Sequence, residues 1–124
     1  MRLPINIEEL LSGRAVEGDR IEYKTGWNPD AIYRTICAFA NDFETGGGYI
    51  VVGVKEENGH AIRPVTGIDP NQIEPIEKDM VGFNNLIRPY YQPRLYIEVA
   101  DGKTILVIKV SPGERRPYKV PYQI

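Results

Sequence analysis

The stretch Ile36-Cys-Ala-Phe-Ala-Asn-Asp-Phe-Glu-Thr-Gly-Gly-Gly-Tyr-Ile-Val-Val-Gly-Val-Lys-Glu-Glu-Asn-Gly59 decides the fold class. On its N-terminal side the apolar residues Ile32, Ile36, Phe39 and Phe43 recur at helical spacing, which predicts one amphipathic helix to about Phe43. Asn28 and Pro29 read as its N-cap and first helical residue. Glycines 46 to 48 end the helix and let the chain turn sharply. The apolar run Tyr49–Val54 then reads as a buried strand, and Asn58-Gly59 as a two-residue hairpin turn.

Working outward, Asn6 caps a short helix through Leu11 that ends at Gly13, with Glu8 and Glu9 in the dipole-favoured first turn. Ala15–Lys24 reads as an extended segment before the break at Trp27-Asn28-Pro29. Downstream, Ile73, Ile76, Met80, Phe83 and Ile87 mark a second long helix over Asn71–Ile87, closed by Pro89. RLYIEVA and KTILVIKV flank Asp101-Gly102 as a second hairpin. The expected fold is α+β: a mixed β-sheet with two β-hairpins, packed against two long helices and a short N-terminal helix. Tyr49–Val54 is expected to be a central strand beside Glu17–Lys24. The tail from Ser111 is rich in proline and charge, with a last strand expected at Tyr118–Gln123. Residues 1–124 are read as a single domain, cut from the N-terminal part of a longer protein.

Composition narrows the chemistry. A net charge of −2 means that any phosphate contact must come from a local basic face, not from the overall field. One cysteine and one histidine exclude an internal disulfide and the usual zinc ligand sets. No apolar run is long enough to span a membrane, and Met1–Leu11 is interrupted by acids and a proline where a secretory signal needs a continuous apolar core. The expected compartment is therefore the cytoplasm.

Gly102-Lys103-Thr104 looks like the end of a phosphate-binding loop, but that loop needs a glycine five residues earlier, where Ile97 stands, and a helix after it. Gly46–Gly48 lacks the dinucleotide-binding spacing and precedes a strand. No ATP site is expected. Cys37 reads as a small core residue of its helix, and His60 as exposed after a turn. In Glu17-Gly-Asp-Arg-Ile-Glu-Tyr-Lys24, strand alternation puts Glu22 and Lys24 on one face. Glu17 joins them only if the chain bends near Gly18. Taken alone, this segment reads as a solvated, charge-rich edge strand.

The run Glu17-x4-Glu22-Tyr23-Lys24 resembles the first signature of the Schlafen AlbA-type domain. Ala38-Phe39-Ala40-Asn41-Asp42, followed by Gly46 to Val54, resembles the second. An acidic turn at Lys55–Gly59 and Val65-Thr66-Gly67-Ile68 continue the likeness, which covers nearly all of the chain. The resemblance implies an AlbA-like mixed sheet, placed at the N-terminus of longer proteins ahead of winged-helix or ATPase-related segments. Such proteins are described as transcriptional regulators or as relatives of an ATP-dependent helicase. Some animal Schlafen proteins cleave structured RNA with three carboxylates, which fall by motif on Glu17, Glu22 and Glu56. The family more often has aspartate at the third place, and Glu57 stands beside Glu56.

Three functions follow as expectations. The first is a nucleic-acid (DNA)-binding module of a transcriptional regulator that needs no cofactor, with Lys24, Lys55, Arg115, Arg116 and Lys119 on phosphates and Tyr118 stacking on bases. The second is an endoribonuclease holding Mg²⁺ or Mn²⁺ on Glu17, Glu22 and Glu56, with oxygen ligands suited to a hard cation. The third is an oligomerisation or partner-docking module, suggested by the acidic balance and the broad helix stripe from Ile73 to Ile87, with a homo-oligomer among the expected partners.

Overall fold

The computed structural model describes residues 2–13, 20–44 and 46–124. Among these residues three α-helices, α1 (Ile7–Leu11), α2 (Pro29–Asn41) and α3 (Ile73–Asn84), and a 3-10 turn at Pro70–Gln72 accompany six strands. These are β1 (Arg20–Lys24), β2 (Gly48–Val52), β3 (Glu56–Glu57), β4 (His60–Ala61), β5 (Arg94–Ala100) and β6 (Lys103–Val110). The main sheet runs β1-β2-β6-β5: β1 is parallel to β2, and the other pairs are antiparallel. The β3–β4 ribbon stands apart. The α+β class, the two hairpins and the central strand beside β1 are thus as the sequence indicates.

Local chemistry explains the element ends. Asn6 Oδ1 accepts from the Glu8 amide at 2.8 Å, and Asn28 Oδ1 accepts from the Ala31 amide, so both helices start at side-chain caps. Both two-residue turns place each central residue at positive φ: Asn58 and Gly59 at 52° and 82°, Asp101 and Gly102 at 54° and 73°. This is the turn geometry whose twist matches that of paired strands. At Gly48 the need is space, since an added Cβ would lie 2.6 Å from both the Arg20 carbonyl oxygen and the Phe39 ring. Glycine there lets β1, β2 and α2 close on one another.

The sheet is covered on both faces. Ile50, Val52, Leu106, Ile108 and Val110 pack under α2 and α3, against Ile32, Ile36, Phe39, Ile76 and Met80. Tyr49, Val51, Ile105, Val107 and Tyr96 face the opposite way, toward Leu10 and Leu11 of α1 and Val65. That two-sided burial is why β2 reads as an unbroken apolar run. Tyr33 is fully buried, yet its hydroxyl donates to Asn84 Oδ1 at 2.6 Å, so neither polar group is stranded. Burial pushes the Cys37 thiol up to about 11, which leaves it protonated and unreactive at neutral pH.

Three expectations are corrected. Helix α2 stops at Asn41, so Phe43 lies past its end and is 64% exposed instead of completing the core stripe. Helix α3 ends at Asn84, although Ile87 beyond it is still fully buried. The expected strand at Tyr118–Gln123 is reduced to one bridge, Lys119 to Arg88. Proline at 117 and 121 removes the amide donors a longer ladder needs.

Arg63 ties three separate segments together. Its guanidinium donates to both carboxylate oxygens of Glu8 on α1, and to both oxygens of Asp101 at the β5–β6 turn, at 2.6 and 3.2 Å. Asp101 also accepts from the Val65 amide at 2.8 Å. The Arg63 hydrogen bonds hold both carboxyls below their ordinary values, helped at Asp101 by the Val65 amide. A depressed folded-state pKa stabilises the fold above the unfolded-state value, near ~4, and that contribution is lost as pH falls through the folded-state value. Melting temperature is therefore expected to fall below about pH 4. Asp101→Asn should lower it at pH 7 and flatten its fall with acid. Parallel pH profiles for the two proteins would refute this role for the clamp.

Candidate functional site

β1 is an edge strand, and its alternation decides what the edge presents. Ile21 and Tyr23 point to the α1 face, where the Tyr23 hydroxyl donates to the Leu10 carbonyl at 2.6 Å. Arg20, Glu22 and Lys24 point the other way, toward α2. Across from them α2 offers Ala31, Arg34, Thr35, Ala38 and Phe39. The small side chains of Ala31, Thr35 and Ala38 leave space unfilled along this flank of the helix. The result is an open cleft of about 300 Å³ between β1 and α2.

Its electrostatics differ from those of the whole chain. Among the described residues, three cations (Arg20, Lys24 and Arg34) and one carboxylate (Glu22) line it, in a protein of net charge −2. Arg20 is held 3.4 Å from Asp42 just past the end of α2, with its guanidinium 5.2 Å from the Phe39 ring centre. Arg34 lies 5.9 Å from the ring centre of Tyr122 and donates to that residue's carbonyl oxygen. Lys24 has no ion-pair partner among the described residues. Next to Asp42, Arg116 covers the Phe43 ring at 4.6 Å. Gly113, in the same loop, donates to the Ala40 carbonyl, which fixes this loop at the C-terminal end of α2.

The residues singled out from sequence separate into groups. Lys24 lines the cleft, and Arg115 and Arg116 are exposed on the loop at the end of α2. Lys119 is exposed where its backbone bridges Arg88, and Lys55 is exposed at the start of the β3–β4 ribbon. Tyr118 is buried: its ring meets Tyr91 edge-on at 5.3 Å, its hydroxyl accepts from the Arg115 amide, and Asn41 bonds its backbone on both sides. It is a core residue in this arrangement and offers no free ring. Among the described residues the exposed aromatics are Tyr122, at 83%, Phe43 and Tyr90, the first two each beneath an arginine. The cleft adds Arg20 and Arg34 to the residues that the sequence singles out; Arg20 shares the parity of Glu22 and Lys24.

The carboxylates are less concentrated. Glu22 faces α2. Glu56 sits on the β3–β4 ribbon, whose Ala61 packs on the opposite-face cluster, and its charge falls on Tyr23, whose phenol is pushed up by burial first and by Glu56 second. Glu17 lies outside the described residues. Among the described residues, no three acidic, histidine or cysteine side chains form a group able to hold a metal ion.

The family model described as Schlafen, AlbA_2 matches residues 17–123. The chain belongs to the Schlafen AlbA_2 family. This AlbA_2 domain is similar in structure to the N-terminal domain of a protein from Nitrosomonas europaea named as RecG-related, after an ATP-dependent DNA helicase. The two are 25% identical, with a TM-score of 0.62 over 86% of this chain and 72% of that one. It also shares its fold with the DIP2311 protein from Corynebacterium diphtheriae, at 19% identity and a TM-score of 0.57, over 92% of this chain and 22% of that one. No curated protein matches the chain. The AlbA_2 match begins at Glu17, so it takes in both signature segments and the whole β1–α2 cleft. No helix among the described residues is long and apolar enough to cross a membrane.

Proposed function

We propose that this domain is a DNA-binding module of a transcriptional regulator, and that it grips the phosphate backbone in the cleft between β1 and α2. The observation that carries this reading is the convergence of Arg20, Lys24 and Arg34 on one cleft of an acidic chain. Two fork-shaped guanidinium groups and one ammonium supply the donors that phosphate oxygens accept. Cations on a water-accessible groove act on the backbone charge, so they hold and orient the nucleic acid without reading its sequence. Arg115 and Arg116 extend the basic surface past the end of α2, while Tyr122 and Phe43 place exposed rings beside it for stacking on unpaired bases. The name of the Nitrosomonas relative, which refers to a DNA helicase, is in keeping with a nucleic-acid partner.

The test is binding of labelled duplex DNA as a function of salt. Affinity is expected to fall with a log–log slope of about −0.9 for each phosphate neutralised. Lys24→Ala with Arg34→Ala should weaken binding to all sequences and make that slope shallower by roughly two such contacts. A salt-independent affinity, or an unchanged slope in the double variant, would overturn the cleft assignment. Tighter binding to structured RNA than to DNA would keep the cleft and replace the polymer.

A further inference from the structure

The two edges of the sheet are built differently. β1 guards its edge with alternating charges at Arg20, Glu22 and Lys24. Such charges are a common protection against strand-to-strand association. β5, the other edge, is seven residues long and carries Leu95, Ile97 and Val99 on one face, with Ile97 47% and Val99 65% exposed. Val81 of α3, 67% exposed, flanks a hollow of about 590 Å³ between α3 and the start of β5.

The register fixes which backbone groups are available. Asp101-Gly102 is a two-residue turn, so Ala100 and Lys103 close the ladder as a hydrogen-bonded pair. Residues 94, 96, 98 and 100 therefore bond to β6, whereas Leu95, Ile97 and Val99 turn their N–H and C=O groups outward. Outward backbone groups and exposed β-branched side chains thus coincide on the same residues.

We infer that β5 pairs with β5 of a second copy of this chain, antiparallel, about a two-fold axis through Ile97. In this register Ile97 opposes Ile97 and Leu95 opposes Val99 of the second copy, each pair exchanging both backbone hydrogen bonds. The exposed apolar side chains of the strand then meet one another as cross-strand pairs, which takes part of their flanks out of water. On the other face, Arg94 lies diagonal to Glu98 of the second copy, within reach of long side chains, and symmetry repeats that opposite-charge pair. A self-complementary edge of this kind is what an isologous dimer needs. The product is one continuous eight-stranded sheet with a β1–α2 cleft at each outer edge, open to a ligand.

Sedimentation equilibrium should show a species of twice the 14.1 kDa chain mass that dissociates on dilution. Ile97→Lys puts two like charges face to face on the axis, and should leave only monomer while retaining the circular dichroism of the fold. Ile97→Cys should give a covalent dimer under oxidising conditions, released by reductant. The native thiol at Cys37 is buried and does not compete. A protein that stays monomeric up to millimolar concentration would overturn the pairing. So would a dimer that persists in Ile97→Lys, or failure of Ile97→Cys to cross-link.

Discussion

Phe39→Ala is expected to lower the unfolding free energy by about 3–5 kcal/mol, the range for truncating a large buried aromatic. Phe39 is fully buried, its ring lies against the Gly48 backbone, and it packs with the cluster that joins α2 to β2 and β6. Its ring also supports the guanidinium of Arg20, so one side chain serves as both core and floor of the cleft. The space it leaves is bounded by backbone on the glycine side and cannot collapse freely, which favours the upper part of the range. Phe43, four residues on and equally apolar, is the matched control. It is 64% exposed, so Phe43→Ala should change stability by no more than about 0.5 kcal/mol. Urea melts of the two variants check both values. A loss below about 1 kcal/mol for Phe39→Ala would sink the claim that α2 is anchored through this ring.

The contrast between those two phenylalanines shows how far the sequence carries. Elements bounded by specific chemistry were legible: Asn6 and Asn28-Pro29 as helix starts, and Asn58-Gly59 and Asp101-Gly102 as hairpin turns, because only a few residue types fit those positions. Periodicity gave the inward face of α2 but not its last residue, since Phe43 continues the stripe in sequence after the helix has ended. Tyr118 shows the same limit for a single side chain. It stands among charges and prolines and reads as exposed, yet Asn41 reaches across from α2 to fix its backbone in the core, a contact 77 residues apart in the chain. The cleft was half legible. Lys24 and Glu22 were placed on one face of β1, and the same parity includes Arg20. Arg34 was not found, because nothing local states that the flank of α2 carrying Ala31, Arg34, Thr35 and Ala38 lies against the edge of β1.

Glu22→Gln separates binding from catalysis by the sign of its effect. Among the described residues that line the cleft, Glu22 is the one carboxylate beside three cations, so it opposes an incoming phosphate. Removing one like charge about 4 Å from a phosphate relieves on the order of 1 kcal/mol in a water-accessible setting, roughly a fivefold gain in affinity. Glutamine keeps the shape and both side-chain positions, so the change reports charge alone. The carboxylate-nuclease reading requires the opposite. There Glu22 would share a hard cation with Glu17 and Glu56, and its loss would abolish both stabilisation by Mn²⁺ and cleavage of structured RNA. Nucleic-acid affinity measured without metal, and melting temperature measured with and without Mn²⁺, read the two cases side by side. Tighter binding with no Mn²⁺ response in either protein supports the cleft as a phosphate grip. A wild-type Mn²⁺ shift that vanishes in Glu22→Gln, together with loss of RNA cleavage, would instead assign Glu22 to a metal site and replace the binding module with an enzyme.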